Sequence, residues 1–363
     1  MSISKVLFAS ALAALSAQAF AAPFAVNDLV VYRVGTGSGA LGSTSTAVFL
    51  DEFTKTGALV QSIALPTVAS GVLSPVTASG SATSEGQINR SVDGKSLVLT
   101  GYGTTTGTAS VAGSTAAAVP RQVVTVAADG SLTTKAVGTL LGGNNVRTAA
   151  TVDGTGTYAA GGAGVAYVNG SGVATQLSTT NTRDLVIADN QLFYSTGSGT
   201  TGIYSLGTGL PNSGSFTGTL LAASASPFGF LFADLSNSVT GVDTLYVADD
   251  NATTGGIRKF SKSVAGVWSL NNTIVVSGVR GLTGVVNGGQ VQLFATSATN
   301  LYGLTDSTGY NANLSAAVTT LATAAANTAF RGLALTPAVP EPATYGLALV
   351  SLALFGAMRR LRG

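Results

Sequence analysis

The chain has 363 residues, of which 47 are glycine, 9% are charged and 45% are hydrophobic; its formal net charge is +2, and it has no histidine and no cysteine. Without those two residue types there is no Ser-His-Asp or Cys-His nucleophile, no His/Cys zinc site and no haem ligation by either residue. Disulfide staples are excluded as well, so stability must come from a large apolar core.

Residues 1–22 read as a secretory signal peptide. Lys5 supplies the positive start, residues 6–15 an apolar core, and two overlapping Ala-x-Ala sites place cleavage between residues 19 and 22. The cargo that follows, residues 23–338, contains 13 basic and 14 acidic residues and sits near −1. Phosphate backbones require clustered Lys and Arg, so nucleic acid is not an expected partner. High Gly, Ser and Thr with low charge can signal disorder, but short runs of Val, Leu and Tyr argue for strands. Helical periodicity is nearly absent, apart from residues 315–326, which read as a strand with a loop or as a short helix.

A strand-turn-strand pattern opened by an arginine recurs at residues 87–102, 145–160, 182–196, 279–296 and 330–337. The arginines are Arg90, Arg147, Arg183, Arg280 and Arg331, with gaps of 57, 36, 97 and 51 residues. The gap of 97 is about twice the others, and residues 228–249 fill it with the same pattern but no Arg. Two further strands follow each unit, and four strands per unit of this size is a propeller blade. Residues 330–337 supply one strand, and the mature N-terminus supplies three, at 29–34, 47–53 and 58–65. One plus three completes a blade and protects the edges. The expected fold is therefore an all-β propeller with six blades favoured and seven as the alternative. A parallel β-helix of adhesin type and an array of β-sandwiches compete with it, but a β-helix needs no complementary ends. The Gly/Thr/Ala insertion at 103–119 is expected to be an exposed loop.

Chemistry within the cargo has few candidates. Only Glu52 and Glu85 remain as glutamates, and Glu52 beside Asp51 reads as a solvated strand face. Glu85 precedes an inner strand and is placed at the channel mouth, with Asp93 and Asp153 as the partners a glycoside hydrolase would need. Both aspartates sit in Asp-Gly turns, where the side chain usually serves its own backbone. The recurring arginines lie on one channel rim, either holding an anionic group or bridging to the neighbouring blade. Asp249, Asp250 and Asn251 cluster oxygen ligands of the kind calcium takes, without EF-hand spacing. Trp268 alternates like a strand residue packed between blades. No cofactor is expected.

Residues 339–363 read VPEPATYGLALVSLALFGAMRRLRG. A Pro340-Glu341-Pro342 triplet precedes a 16-residue apolar run, 343–358, and then Arg359, Arg360 and Arg362. The run is short for a spanning helix of roughly 20 residues, but arginine stems can snorkel to extend it. The positive end would stay cytoplasmic. Triplet, helix and basic tail in this order resemble the PEP-CTERM sorting signal of Gram-negative bacteria. The resemblance implies an exported precursor anchored in the inner membrane and cut near the triplet by an exosortase, often in species that make extracellular polysaccharide. A permanent tail anchor is the plainer alternative. The expected role is a non-enzymatic envelope or extracellular protein that binds or scaffolds polysaccharide or surface components. A polysaccharide hydrolase or lyase and a self-assembling surface adhesin are the alternatives.

Overall fold

The computed structural model describes residues 22–338. Residues 1–21, where the signal peptide is expected, and the segment holding Pro340, Glu341, Pro342, the apolar run, Arg359, Arg360 and Arg362 lie outside the described residues.

The first strands are β1 (Leu29–Val34), β2 (Ser45–Phe53) and β3 (Leu59–Ala64), with a short β4 (Thr77–Ser79) that pairs with β2 and with the blade after it. Blade 2 is β5 (Ile88–Arg90), β6 (Ser96–Tyr102), β7 (Arg121–Ala127) and β8 (Leu132–Ala136). Blade 3 is β9 (Val146–Thr151), β10 (Thr157–Gly161), β11 (Gly164–Val168) and β12 (Ala174–Ser178). Blade 4 is β13 (Asp184–Ala188), β14 (Gln191–Thr196), β15 (Gly202–Ser205) and β16 (Thr219–Ala223). Blade 5 is β17 (Pro227–Ala233), β18 (Thr244–Asp249), β19 (Gly256–Lys262) and β20 (Trp268–Ile274). Blade 6 is β21 (Gly281–Asn287), β22 (Gln290–Thr296), β23 (Asn300–Asp306) and β24 (Thr319–Thr323). The last strand, β25 (Ala329–Leu335), runs antiparallel to β1 from Leu29↔Leu335 to Val34↔Ala329 and makes blade 1 the sheet β25-β1-β2-β3. The innermost strands touch in a closed cycle, β25 to β5, β9, β13, β17, β21 and back to β25. The protein is an all-β propeller of six blades.

The side-chain period of two explains the cohesion. Successive residues of a strand enter different cores. In β6, Leu97 and Leu99 join the core shared with blade 1, while Val98 joins the core shared with blade 3. In β18, Tyr246 and Ala248 face blade 6, and Leu245 and Val247 face blade 4. The described residues hold six such cores, one at each junction between neighbouring blades, which is what a closed ring requires. Strands buried on both faces read as continuous apolar runs instead of alternating ones. Trp268 enters the core between blades 4 and 5, edge-on to Phe232.

One expectation needs correction, and one pair of alternatives is decided. The insertion at 103–119 is not a free loop: Val111, Ala116 and Val119 are buried, and the segment hooks onto β2 through Ser45 N to Thr108 O (2.8 Å) and Gly107 N to Ser45 O (2.8 Å). Of the two readings of residues 315–326, the strand with a loop holds: β24 lies there and no helix. Among the described residues no helix is long and apolar enough to cross a membrane.

The seam between β1 and β25 gives a direct check. Leu29 is fully buried there, whereas Val264 is 82% exposed in a turn. Leu29→Ala should cost about 2–5 kcal/mol in urea unfolding, and Val264→Ala less than about 0.5 kcal/mol.

Candidate functional site

The register between inner strands shows which residues share one end of the propeller. Gly332 N donates to Gly86 O (2.9 Å), Gln87 N to Arg147 O (2.9 Å) and Gly229 N to Arg280 O (2.8 Å). Arg331, Arg147, Arg183 and Arg280 therefore hold equivalent places in blades 1, 3, 4 and 6, with Gly86 in blade 2 and Phe228 in blade 5. Arg90 does not belong to this rim. It stands at the far end of β5 and reaches Thr336 O (3.5 Å) near the other mouth. The reason is steric. At Gly86, with φ near +81°, a Cβ would lie 2.7 Å from the Tyr32 ring and 2.9 Å from Arg331 Cβ, so no arginine fits in blade 2.

Each of the four arginines crosses to a neighbouring blade. Arg147 Nη1 donates to Asn181 Oδ1 (2.5 Å) and Thr182 O (2.9 Å). Arg183 Nη1 donates to Ser226 Oγ (2.8 Å) and Pro227 O (3.3 Å), and its guanidinium lies 4.2 Å over the Phe228 ring. Arg280 covers the same ring at 4.9 Å, pairs with Asp250 (2.6 Å) and donates Nη1 to Thr83 O (2.9 Å). Arg331 is 4% exposed and donates Nη2 to Gly80 O (3.0 Å). Gly197 lacks the Cβ that would strike the Arg183 guanidinium at 2.3 Å. Carbonyls orient Arg147, Arg183 and Arg331 without cancelling their charge, whereas Arg280 is paired with Asp250. Burial, and then the charge of Arg183, lowers the pKa of Arg147 to about 10. Burial lowers Arg183 and Arg331 as well, and the charge of Arg280 adds to both shifts.

Below the rim the axis is crossed by side chains. Gln87 Nε2 reaches from blade 2 to Arg280 O (3.3 Å) in blade 6, and Asn89 Nδ2 donates to Ala149 O (2.9 Å) and Leu185 O (3.0 Å). The site is thus a shallow mouth and not a through-channel.

The carboxylate candidates are spent inside the fold. Glu85 is 2% exposed and does not enter the mouth: its carboxyl accepts from Tyr102 Oη (2.5 Å), Asn145 Nδ2 (2.8 Å) and Ser79 N (2.8 Å). Burial raises its pKa against those donors. Glu52 and Asp51 are buried, not solvated: Glu52 accepts from Ala25 N (2.6 Å) and Gln61 Nε2 (2.6 Å), and Asp51 pairs with Arg33 (2.5 Å). Asp93 and Asp153 accept from their own turns, at Lys95 N (3.1 Å) and Thr155 N (2.9 Å). Asp249, Asp250 and Asn251 do not converge as a calcium cage. Asp249 accepts from Ser224 Oγ (2.5 Å) and meets Arg258 (3.4 Å), Asp250 pairs with Arg280, and Asn251 Oδ1 accepts from Thr253 N and Thr254 N (both 3.0 Å). Among the described residues no cluster of three acidic side chains gathers around a common point.

Three buried polar groups escape sequence reading. Arg121 is fully buried and holds the 103–119 insertion through Ala112 O (2.8 Å), Val119 O (2.8 Å) and Asn144 O (3.0 Å). Lys259 and Asp306 form a sealed pair (2.7 Å) between blades 5 and 6, with Tyr246 Oη donating to Asp306 (2.6 Å). Asp184 is buried beside the axis, with Thr148 Oγ1 (2.6 Å) and Leu185 N (2.8 Å) as donors. No local pattern marks any of them, because their burial is completed by residues of other strands and blades, such as Asn144 for Arg121, Asp306 for Lys259 and Thr148 for Asp184.

Two outcomes are expected from these buried charges. Lys259→Met leaves Asp306 without its counter-ion and should cost about 3–5 kcal/mol in chemical unfolding. Burial raises Asp184 to about 7 from 3.8, so the folded state holds its proton longer than the unfolded chain. The stability Asp184 contributes should be present below about pH 4 and fall as pH rises to about 7. Asp184→Asn should flatten the corresponding slope of the urea midpoint between those pH values.

Comparisons agree with the geometry. The PEP-CTERM protein-sorting motif matches residues 338–362. No curated protein matches the chain. Among solved structures, the nidogen–laminin complex is similar at a TM-score of 0.51 and 12% identity, covering 85% of this chain and 98% of that one. A gluconolactonase from Xanthomonas campestris is similar at 0.42 and 14%, covering 84% and 88%. Virginiamycin B lyase from Staphylococcus aureus is similar at 0.46 and 10%, covering 85% and 97%. At this identity the likeness to the nidogen–laminin complex speaks to fold alone. The chain is a propeller-like all-β protein that carries a PEP-CTERM sorting motif at its C-terminal end.

Proposed function

We propose that this protein is exported, held briefly in the inner membrane and sorted by an exosortase to the cell envelope or extracellular matrix. There its propeller binds or scaffolds polysaccharide or other surface components without catalysing a reaction. The carrying observation is how the motif joins the fold. Thr336 N donates to Asp28 O (2.9 Å) and Ala338 N to Gly94 O (2.7 Å), so the chain stays fixed to the propeller up to the first residue of the matched motif. The mouth near Gly94 then faces the membrane in the precursor. The arginine mouth, about 16 Å away at roughly 3.3 Å per residue of β25, faces outward. The spent carboxylates support a binding role over hydrolysis. Glu85, the glutamate nearest the arginine rim, has both carboxyl oxygens occupied by protein donors.

Intact mass of the native protein, taken separately from membrane and extracellular fractions, tests this reading. A released species lacking both ends is expected, and it should co-sediment with host polysaccharide. A species that keeps Arg359 to Gly363 and stays in the membrane would mean a permanent anchor. Release of reducing sugar that Glu85→Gln abolishes would mean an enzyme.

A further inference from the structure

We propose that the arginine mouth is an oxyanion site that takes the carboxylate or phosphate of an acidic glycan. The inference rests on the binding role above and names its ligand chemistry.

Four guanidinium groups line this mouth, and among the described residues one carboxylate, Asp250, pairs with any of them, namely Arg280. Glu85 lies behind Arg331 and Arg147 and its charge raises the pKa of both, so with Asp250 two carboxylates stand against four guanidinium groups. Asp249 is engaged with Arg258. The mouth therefore carries an excess of positive charge within a cargo that is near −1. Hydrogen-bonding capacity is also left over. Arg147 and Arg183 donate to protein only through Nη1, which leaves their Nη2 groups over, whereas the unpartnered Nε groups of Arg147 and Arg331 are buried and out of reach of a ligand at the surface. Planar forks with free N–H groups suit two-point contact with carboxylate or phosphate oxygens. The arginines also lower one another's pKa values, and a bound anion would relieve that repulsion. Arg183 and Arg280 both lie over the Phe228 ring, which gives the two guanidinium groups a common apolar support. Gln87 and Asn89 close the axis beneath, so the ligand is met at the surface. A charged group on a long polymer can reach it without threading.

The full chain in detergent micelles would be titrated calorimetrically with oligogalacturonate, inorganic phosphate and a neutral gluco-oligosaccharide. Oligogalacturonate is expected to bind, more weakly as salt rises. Arg147→Gln and Arg183→Gln should each weaken it about tenfold or more, as expected for loss of a charge-assisted hydrogen bond. Arg90→Gln, at the opposite mouth, should bind like wild type. Arg147→Lys and Arg183→Lys keep the charge and guard against misfolding of the Gln variants; intermediate losses are expected. Phosphate binding beside oligogalacturonate binding, with the same variant losses, would support the site and show that it takes either oxyanion. If neutral and acidic glycans bind equally and the Gln variants match wild type, the site is wrong while glycan binding stands. If no glycan binds but phosphate does, with the arginine dependence, the glycan reading is wrong and an oxyanion site remains. Absence of all binding would overturn both.

Discussion

Everything in this fold depends on each blade being apolar on both faces. A strand such as β6 gives Leu97 and Leu99 to one neighbour and Val98 to the other, so no blade can satisfy its apolar surface alone. The only arrangement that buries all such faces is a ring, and a ring must be closed. Pairing of β25 with β1 removes the two edges an open array would expose. It also places the two ends of the cargo side by side.

Polar groups in the interior follow from that closure. Neighbouring blades approach too closely for water to solvate every strand end, and long cationic side chains fill that role. Arg121 gathers the carbonyls of the 103–119 insertion, and Lys259 with Asp306 joins blades 5 and 6. The rim arginines do the same work between blades, which accounts for their near-regular recurrence. Their bonds are mostly to carbonyls, however. That locks geometry and leaves guanidinium N–H groups over, so one set of residues can stabilise the ring and still suit the anion-binding role proposed for them.

Much of the architecture was legible because repetition is a one-dimensional signal. The arginine spacing exposed the blade period. The gap between Arg183 and Arg280 revealed a blade whose arginine is replaced by Phe228. The strand after Phe330 and the three near the N-terminus made sense only as parts of one sheet. The same signal misled at Arg90. It recurs at a plausible spacing, yet sits four residues beyond the true equivalent, Gly86, whose place against Tyr32 is a three-dimensional fact. Glu52 and Asp51 looked solvated because adjacent charges on a strand usually are. Their burial depends on Arg33, Gln61 and the chain at Ala25, which no local pattern announces.

The sequence alone determined the class of fold, the blade period and the address written after residue 338, since each is carried by local order: alternation, repeat length and a contiguous motif. Tertiary structure decided which charged residues face outward and which are consumed within the ring. That depends on partners tens to hundreds of residues away, such as Arg280 with Thr83 or Arg331 with Gly80, brought together only when the ring closes.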